Sequence, residues 1–218
     1  RFAVVPSSTA CGIIWIDVGP VETRESIVRR STKELPVGPH VCPWWGGYFI
    51  DNPLRRWLHN PEQILAPYVK PGMATLDFGC GMGVFTLAMA KLVGEQGRVV
   101  AADLQPQMLD VLQRRAKRAG VADRIRTHRS QPASTGLAEP FDFALAFWSV
   151  HEVRDMKCLF AEVFGCLRPE GRFLAVEPIG HVTTEAFAGM MQLAAEAGFR
   201  EQERPRIRLS HAVVLAKP

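Results

Sequence analysis

TLDFGCGMGVFTLAMAKLVGEQGRVVAAD, residues 75–103, decides how this 218-residue chain folds. The stretch ATLDF (74–78) reads as a buried strand ending in Leu76-Asp77-Phe78, and three glycines follow at 79, 81 and 83. Glycine lets a backbone turn tightly and approach a ligand that any Cβ would push away. The apolar-periodic VFTLAMAKLV (84–93) then predicts a helix, and RVVAAD (98–103) a second strand. Asp103 closes that strand about twenty residues after the glycines, the spacing of an acid that accepts hydrogen bonds from a ribose diol. Two parallel strands joined through a helix put both carboxyl ends on one edge, where open α/β sheets bind ligands.

Downstream the alternation continues. Helix is expected over 105–120, closed by Gly120 where a C′ glycine belongs, then strand over 124–129 and the apolar strand FDFALAFW over 141–148. Helix 154–167, a turn at RPEG, strand 172–178 and helix 183–198 follow. The tail predicts two strands joined near Pro205, a link too short for a crossover, so this pair is antiparallel. The expected fold class is α/β: a doubly wound, seven-stranded, mostly parallel sheet with an antiparallel last strand. Upstream, 42–69 is aromatic-rich and broken by Pro43, Pro53 and Pro61, which predicts short helices leading into the core. The expected organisation is an N-terminal extension at 1–40 with no assigned role, a helical lid or substrate segment at 41–72, and the ligand-binding domain at 73–218.

Composition narrows the functional classes. With 47% hydrophobic and 22% charged residues, the chain has the make-up of a globular domain, and no apolar run is long enough for a membrane span. A net charge of +4 tolerates an anionic small molecule but falls short of a nucleic-acid footprint. Arg114, Arg115, Lys117 and Arg118 sit late in an expected helix, where cations suit the helix dipole and a solvated face. Five widely spaced cysteines, at 11, 42, 80, 158 and 166, form no CxxC pair, so no metal site is expected and a reduced, cytoplasmic protein fits. A thiol cluster for a soft substrate such as arsenic is the alternative to five small buried hydrophobes.

GxGxG with an acid two residues ahead, rather than the GxGxxG of dinucleotide enzymes (position 84 is Val84), resembles motif I of class I S-adenosylmethionine-dependent methyltransferases. VVAADLQPQML is similar to the family's ribose-binding strand and helix, and FDFALAFWSVHEV to its fourth-strand motif. LRPEGRFLAVEP is close to the turn and fifth strand of small-molecule members, notably the methyltransferase type 11/25 and quinone C-methyltransferase group. The resemblance covers 70–218 in order. It implies a Rossmann-like methyltransferase fold, S-adenosylmethionine as cofactor and a small-molecule acceptor, and leaves a homodimer open. Glu170 stands where the family turn carries its first glycine, and RSQPAS replaces the usual acid near adenine.

Carried over residue by residue, the resemblance implies that Asp77 orients the methionine end of the cofactor. Gly79, Gly81 and Gly83 bring it backbone N–H groups, Asp103 with Leu104 holds the ribose, Ser130 or Gln131 meets adenine, and Phe147 borders the sulfur. For Asp77 and Asp103 the plain alternative is helix capping, and for Phe147 core packing. Proton removal from an acceptor falls to His151, Glu152, Glu177 or His181, which lie at or beyond two strand ends and would otherwise be satisfied loop residues. Trp44, Trp45 and Tyr48 are lid candidates that could cover an apolar acceptor or merely pack the lid. The competing functions are a nicotinamide-dependent oxidoreductase and a protein that binds S-adenosylmethionine without catalysis.

Overall fold

The computed structural model describes residues 58–218 except position 133, together with a short antiparallel pairing of Phe2–Ala3 with Ile16–Asp17. The chain divides into two compact units, Arg1–Val37 and Gly38–Pro218. The lid candidates Trp44, Trp45 and Tyr48 lie outside the described residues, as does nearly all of the N-terminal extension.

Seven strands make one sheet: β1 (Ala74–Phe78), β2 (Arg98–Asp103), β3 (Ile125–Arg129), β4 (Phe141–Phe147), β5 (Leu167–Pro178), β6 (Arg200–Glu203) and β7 (Ser210–Ala216). Their order is β3-β2-β1-β4-β5-β7-β6. All neighbours from β3 to β5 are parallel, and β7 runs antiparallel to both β5 and β6, which is the expected class. The winding reverses between β1 and β4, so their carboxyl ends part and open a crevice. The edge strand β6, REQE, is exposed at every position, and its charges guard that edge against pairing with other chains.

Period-two alternation sorts the side chains between two layers. Phe143, Leu145 and Phe147 of β4 pack on one face with Leu174 and Val176 of β5, under α1 (Pro61–Leu65) and α2 (Val84–Val93). Ala144 and Ala146 pack on the other face with Phe173 and Ala175, against α4 (Met156–Cys166) and α5 (Thr184–Glu196). Burying a Phe or Leu side chain contributes roughly 1.5–3 kcal/mol, and both faces of the central strands do so. The remaining helix, α3 (Pro106–Arg118), starts on proline and ends in Arg115, Lys117 and Arg118, where cations oppose its dipole. Its Leu109 and Leu112 pack on Ala101 of β2 and Cys80 of the glycine loop.

One feature departs from the expected layout. The turn predicted at 168–171 is extended and part of β5, with Glu170 in the left-handed region (φ 63°) and its N–H on Lys217 O at 2.8 Å. The crossover from β3 to β4 carries no helix. Its loop is pinned instead by Glu162 of α4, whose Oε2 accepts from Thr135 N at 2.6 Å, and by His128 Nε2 on Thr135 O at 2.6 Å.

Packing explains two of the three glycines. A Cβ at Gly79 would lie 2.4 Å from Ser149 Cβ, and one at Gly83 would lie 2.2 Å from Leu112 Cδ1, with φ at 68° and 86°. Gly83→Ala therefore meets both backbone strain and a fully buried leucine. The expected loss of stability is about 2 kcal/mol or more, measured by urea unfolding. A loss under about 0.5 kcal/mol would show that the loop relaxes freely around the added methyl.

Candidate active site

A cavity of about 1190 Å³ lies across the carboxyl ends of the parallel strands. Asp77 and Phe78 of β1, Asp103 of β2, Phe147 of β4 and Pro178 of β5 all line it. Parallel pairing alone brings these together, since the strands run the same way and end on one edge.

The glycine loop is satisfied internally. Gly79 N and Cys80 N donate to Ala102 O at 2.8 and 3.1 Å, Gly83 N to Cys80 O at 3.0 Å, and Gly81 N to Asp103 Oδ2 at 2.9 Å. The donors of Gly79 and Gly81 thus hold the loop to β2, and that of Gly83 closes the loop on itself. Gly83 does not line the cavity at all; it faces Leu112. Gly81 does line it, and a Cβ there would meet nothing within 4 Å, so the loop presents bare backbone to open space. That is the cradle a closely approaching ligand requires.

Asp77 is 2% exposed, and Thr86 at the start of α2 donates its hydroxyl to Asp77 Oδ2. It thus meets the first turn of α2 while lining the cavity. Burial pushes its carboxyl up to about 7, against the pull of the Thr86 hydrogen bond and with the nearby Asp103 adding repulsion. Asp103 is also raised by burial, although it accepts from Gln105 N (2.8 Å) and Gly81 N. Burial, and then the two acids, also hold the Cys80 thiol well above its usual range, which makes it a poor nucleophile.

Two acids with no cation beside them among the described residues, one of them bonded to Thr86 in the first turn of the helix, suit a positively charged ligand. A pyrophosphate would need free N–H groups at that helix start and would meet Asp77 instead. The cation S-adenosylmethionine, with an ammonium and a sulfonium, fits this cradle: Asp77 and Asp103 complement its charge and Gly81 gives it room. Leu104 and Gln131 line the same cavity, as does Ser130, whose buried hydroxyl makes no hydrogen bond.

All four proton-transfer candidates converge on the other end. Glu177, fully buried at the end of β5, accepts Val150 N at 2.9 Å through Oε1 and pairs with His151 Nδ1 through Oε2. His151, Glu152 and His181 line the cavity, whereas Glu177 reaches it only through the imidazole. The His181 ring meets His151 edge-on at 5.7 Å. Burial pulls the His151 ring downward, and the hydrogen bond and charge of Glu177, with the charge of Glu152, outweigh it, so the net direction is upward. Three further residues complete this end: Trp148, Ile179 and Leu209. Trp148 adjoins the fourth-strand motif, but Leu209 lies in a tail with no local signal, and only β7 pairing with β5 brings it here.

The buried Asp77 has a measurable signature. Its folded value near 7 exceeds the unfolded value of 3.8, so the folded state binds more protons between these limits and stability falls as pH rises from about 4 to about 7. Asp77→Asn is expected to remove that slope and raise the melting temperature above pH 7 while weakening cation binding. Parallel melting curves across pH check this, and an unchanged slope would count against it.

Comparison with known proteins agrees with the geometry. Residues 75–171 match the family model described as a methyltransferase domain. The demethylmenaquinone methyltransferase of Symbiobacterium thermophilum is 28% identical over 117 residues, 53% of this chain and 47% of that protein. The ubiquinone/menaquinone biosynthesis C-methyltransferase UbiE of Vibrio vulnificus is 31% identical over 111 residues, 50% of this chain and 42% of that protein. This chain thus spans about half the length of the curated relatives it matches. A solved SAM-dependent methyltransferase from Aquifex aeolicus superposes with TM-score 0.73 at 22% identity, covering 82% of this chain and all of that one, a likeness of fold. Motif, sheet order and charged cradle agree with the match of residues 75–171 to a methyltransferase domain.

Proposed function

We propose that the chain transfers a methyl group from S-adenosylmethionine to a small-molecule acceptor bound between Phe147 and the His151–His181 pair. One observation carries the reading: a buried acid, Asp77, and a part-buried one, Asp103, line a glycine cradle whose N–H groups are already engaged, which favours a cation and disfavours a dinucleotide. The bound cofactor supplies a methyl group already activated by its sulfonium. What the chain adds is position, exclusion of water and a place for a proton.

His151 is suited to that last task. Glu177 holds Nδ1 and thereby orients the ring, and Nε2 can take a proton from a hydroxyl or an activated carbon of the acceptor. The named relatives favour carbon methylation of a quinone-type ring as the finer reading. Asp103 holds the ribose through the acceptor capacity that remains after its two backbone contacts. The segment at 41–72 is proposed as a lid over the substrate, with Trp44, Trp45 and Tyr48 its candidates.

Calorimetric titration with S-adenosylmethionine, S-adenosylhomocysteine and NAD tests the cofactor assignment. Binding of both adenosyl ligands is expected, with no NAD binding and at least about a tenfold loss in Asp103→Ala, the scale of a charge-assisted hydrogen bond. Binding of NAD alone would return the oxidoreductase reading. Once an acceptor is turned over, the rate should rise with pH as His151 loses its proton. Since Glu177 raises the His151 value, Glu177→Gln should move that rising limb to lower pH and lower the maximum. A limb that stays in place would remove His151 from the proton transfer.

A further inference from the structure

Three non-glycine residues among those described sit in the left-handed backbone region: Trp148 (φ 61°), Glu170 (φ 63°) and Leu209 (φ 53°). Glu170 lies near the start of β5 and does not line the cavity. Trp148 and Leu209 both line it, at the acceptor end. Bulky side chains are rare in this region because Cβ crowds the backbone, and glycine or asparagine would fit with less strain. Leu209 is also 57% exposed, so core packing does not account for a leucine there.

The two positions are tied to each other. The Trp148 indole N–H donates to Ser210 Oγ at 3.0 Å, and Ser210 Oγ donates to Arg208 O at 3.1 Å. His59 Nε2 meets that same carbonyl at 2.7 Å, and its ring stands edge-on to Phe147 and Trp148 at 5.4 and 5.1 Å. Across from Leu209, Ile179 donates its N–H to Leu209 O at 3.1 Å and is 51% exposed. These two are the exposed large hydrophobic residues of the described chain, and they stand side by side on the cavity rim. The network thus holds an indole and two aliphatic side chains around the space next to His151.

We infer that Trp148 and Leu209 form an acceptor clasp that selects a flat, apolar molecule bearing a hydroxyl, with the ring between indole and leucine and the hydroxyl toward His151. The inference rests on the methyl-transfer reading of this cavity and adds the residues that choose the acceptor. Strain is retained at both positions because the side chains, rather than the turns, are what the site uses. A flat ring slips between two such walls, whereas a puckered ring of the same carbon skeleton is too thick.

The test uses the full chain saturated with S-adenosylhomocysteine, titrated with 2-naphthol and with its saturated counterpart decahydro-2-naphthol. Wild type is expected to bind 2-naphthol at least about tenfold more tightly than the saturated alcohol. Leu209→Gly and Leu209→Asn should keep the melting temperature or raise it, and keep the S-adenosylhomocysteine affinity. Both should lose about tenfold in 2-naphthol affinity, the scale of one leucine's buried area. The clasp is overturned if the loaded wild type fails to bind 2-naphthol, if it binds the two alcohols equally, or if the variants bind 2-naphthol as wild type does. It is equally overturned if the variants melt lower and lose the adenosyl ligand, since Leu209 then serves the fold. Failure of the wild type to bind S-adenosylhomocysteine is a separate result and removes the methyl-transfer reading itself.

Discussion

Everything in the ligand-binding half of the sheet depends on how the turn between β1 and α2 is secured. Asp77 closes β1 inside the protein and accepts the hydroxyl of Thr86 in the first turn of α2. Asp103 closes β2 and takes Gly81 N, which ties the loop to the neighbouring strand. A buried carboxyl without such partners would cost several kcal/mol, so the two acids and the loop require one another. Their joint position leaves a cradle of negative potential at the crevice, and the chemistry of the ligand follows from it.

That arrangement separates two functions that share a topology. Dinucleotide-binding and methyltransferase folds both place glycines between a strand and a helix, and the difference lies in where the loop's donors go. In this chain they are spent on Ala102, Cys80 and Asp103, and an acid accepts the Thr86 hydroxyl in the first turn of the helix. A cation is welcome there and a pyrophosphate is not. The fold as such does not choose an activity: the cyclase SpnF superposes on this chain with TM-score 0.60 at 14% identity. Here the choice is made by side chains around the crevice.

The acceptor end obeys a different constraint. Glu177 is fully buried, so its carboxyl must be satisfied, and the partners it finds are Val150 N and the His151 ring. A buried acid thereby fixes the ring nitrogen that faces away from the solvent and leaves the other for chemistry. The opposite wall hangs on the Trp148–Ser210–Arg208 chain of hydrogen bonds, which carries the geometry of β7 across to β4.

Local sequence was sufficient for most strands and helices, for the sheet class, and for placing Asp77, Gly81, Asp103 and His151 at the strand ends that line the cavity. In each case the informative neighbours lie within a few residues: strand end, glycine, helix start. The antiparallel pairing of β6 and β7 was equally legible, because so short a link cannot cross over. Which glycines packing requires was not, since Gly79 and Gly83 are fixed by Ser149 and Leu112, 70 and 29 residues away. Nor could the sequence show that Glu177 supports His151, or that Leu209 shares a wall with Trp148. Those contacts join strand ends that only the sheet order makes adjacent, and long-range pairing leaves no periodic trace in a single chain.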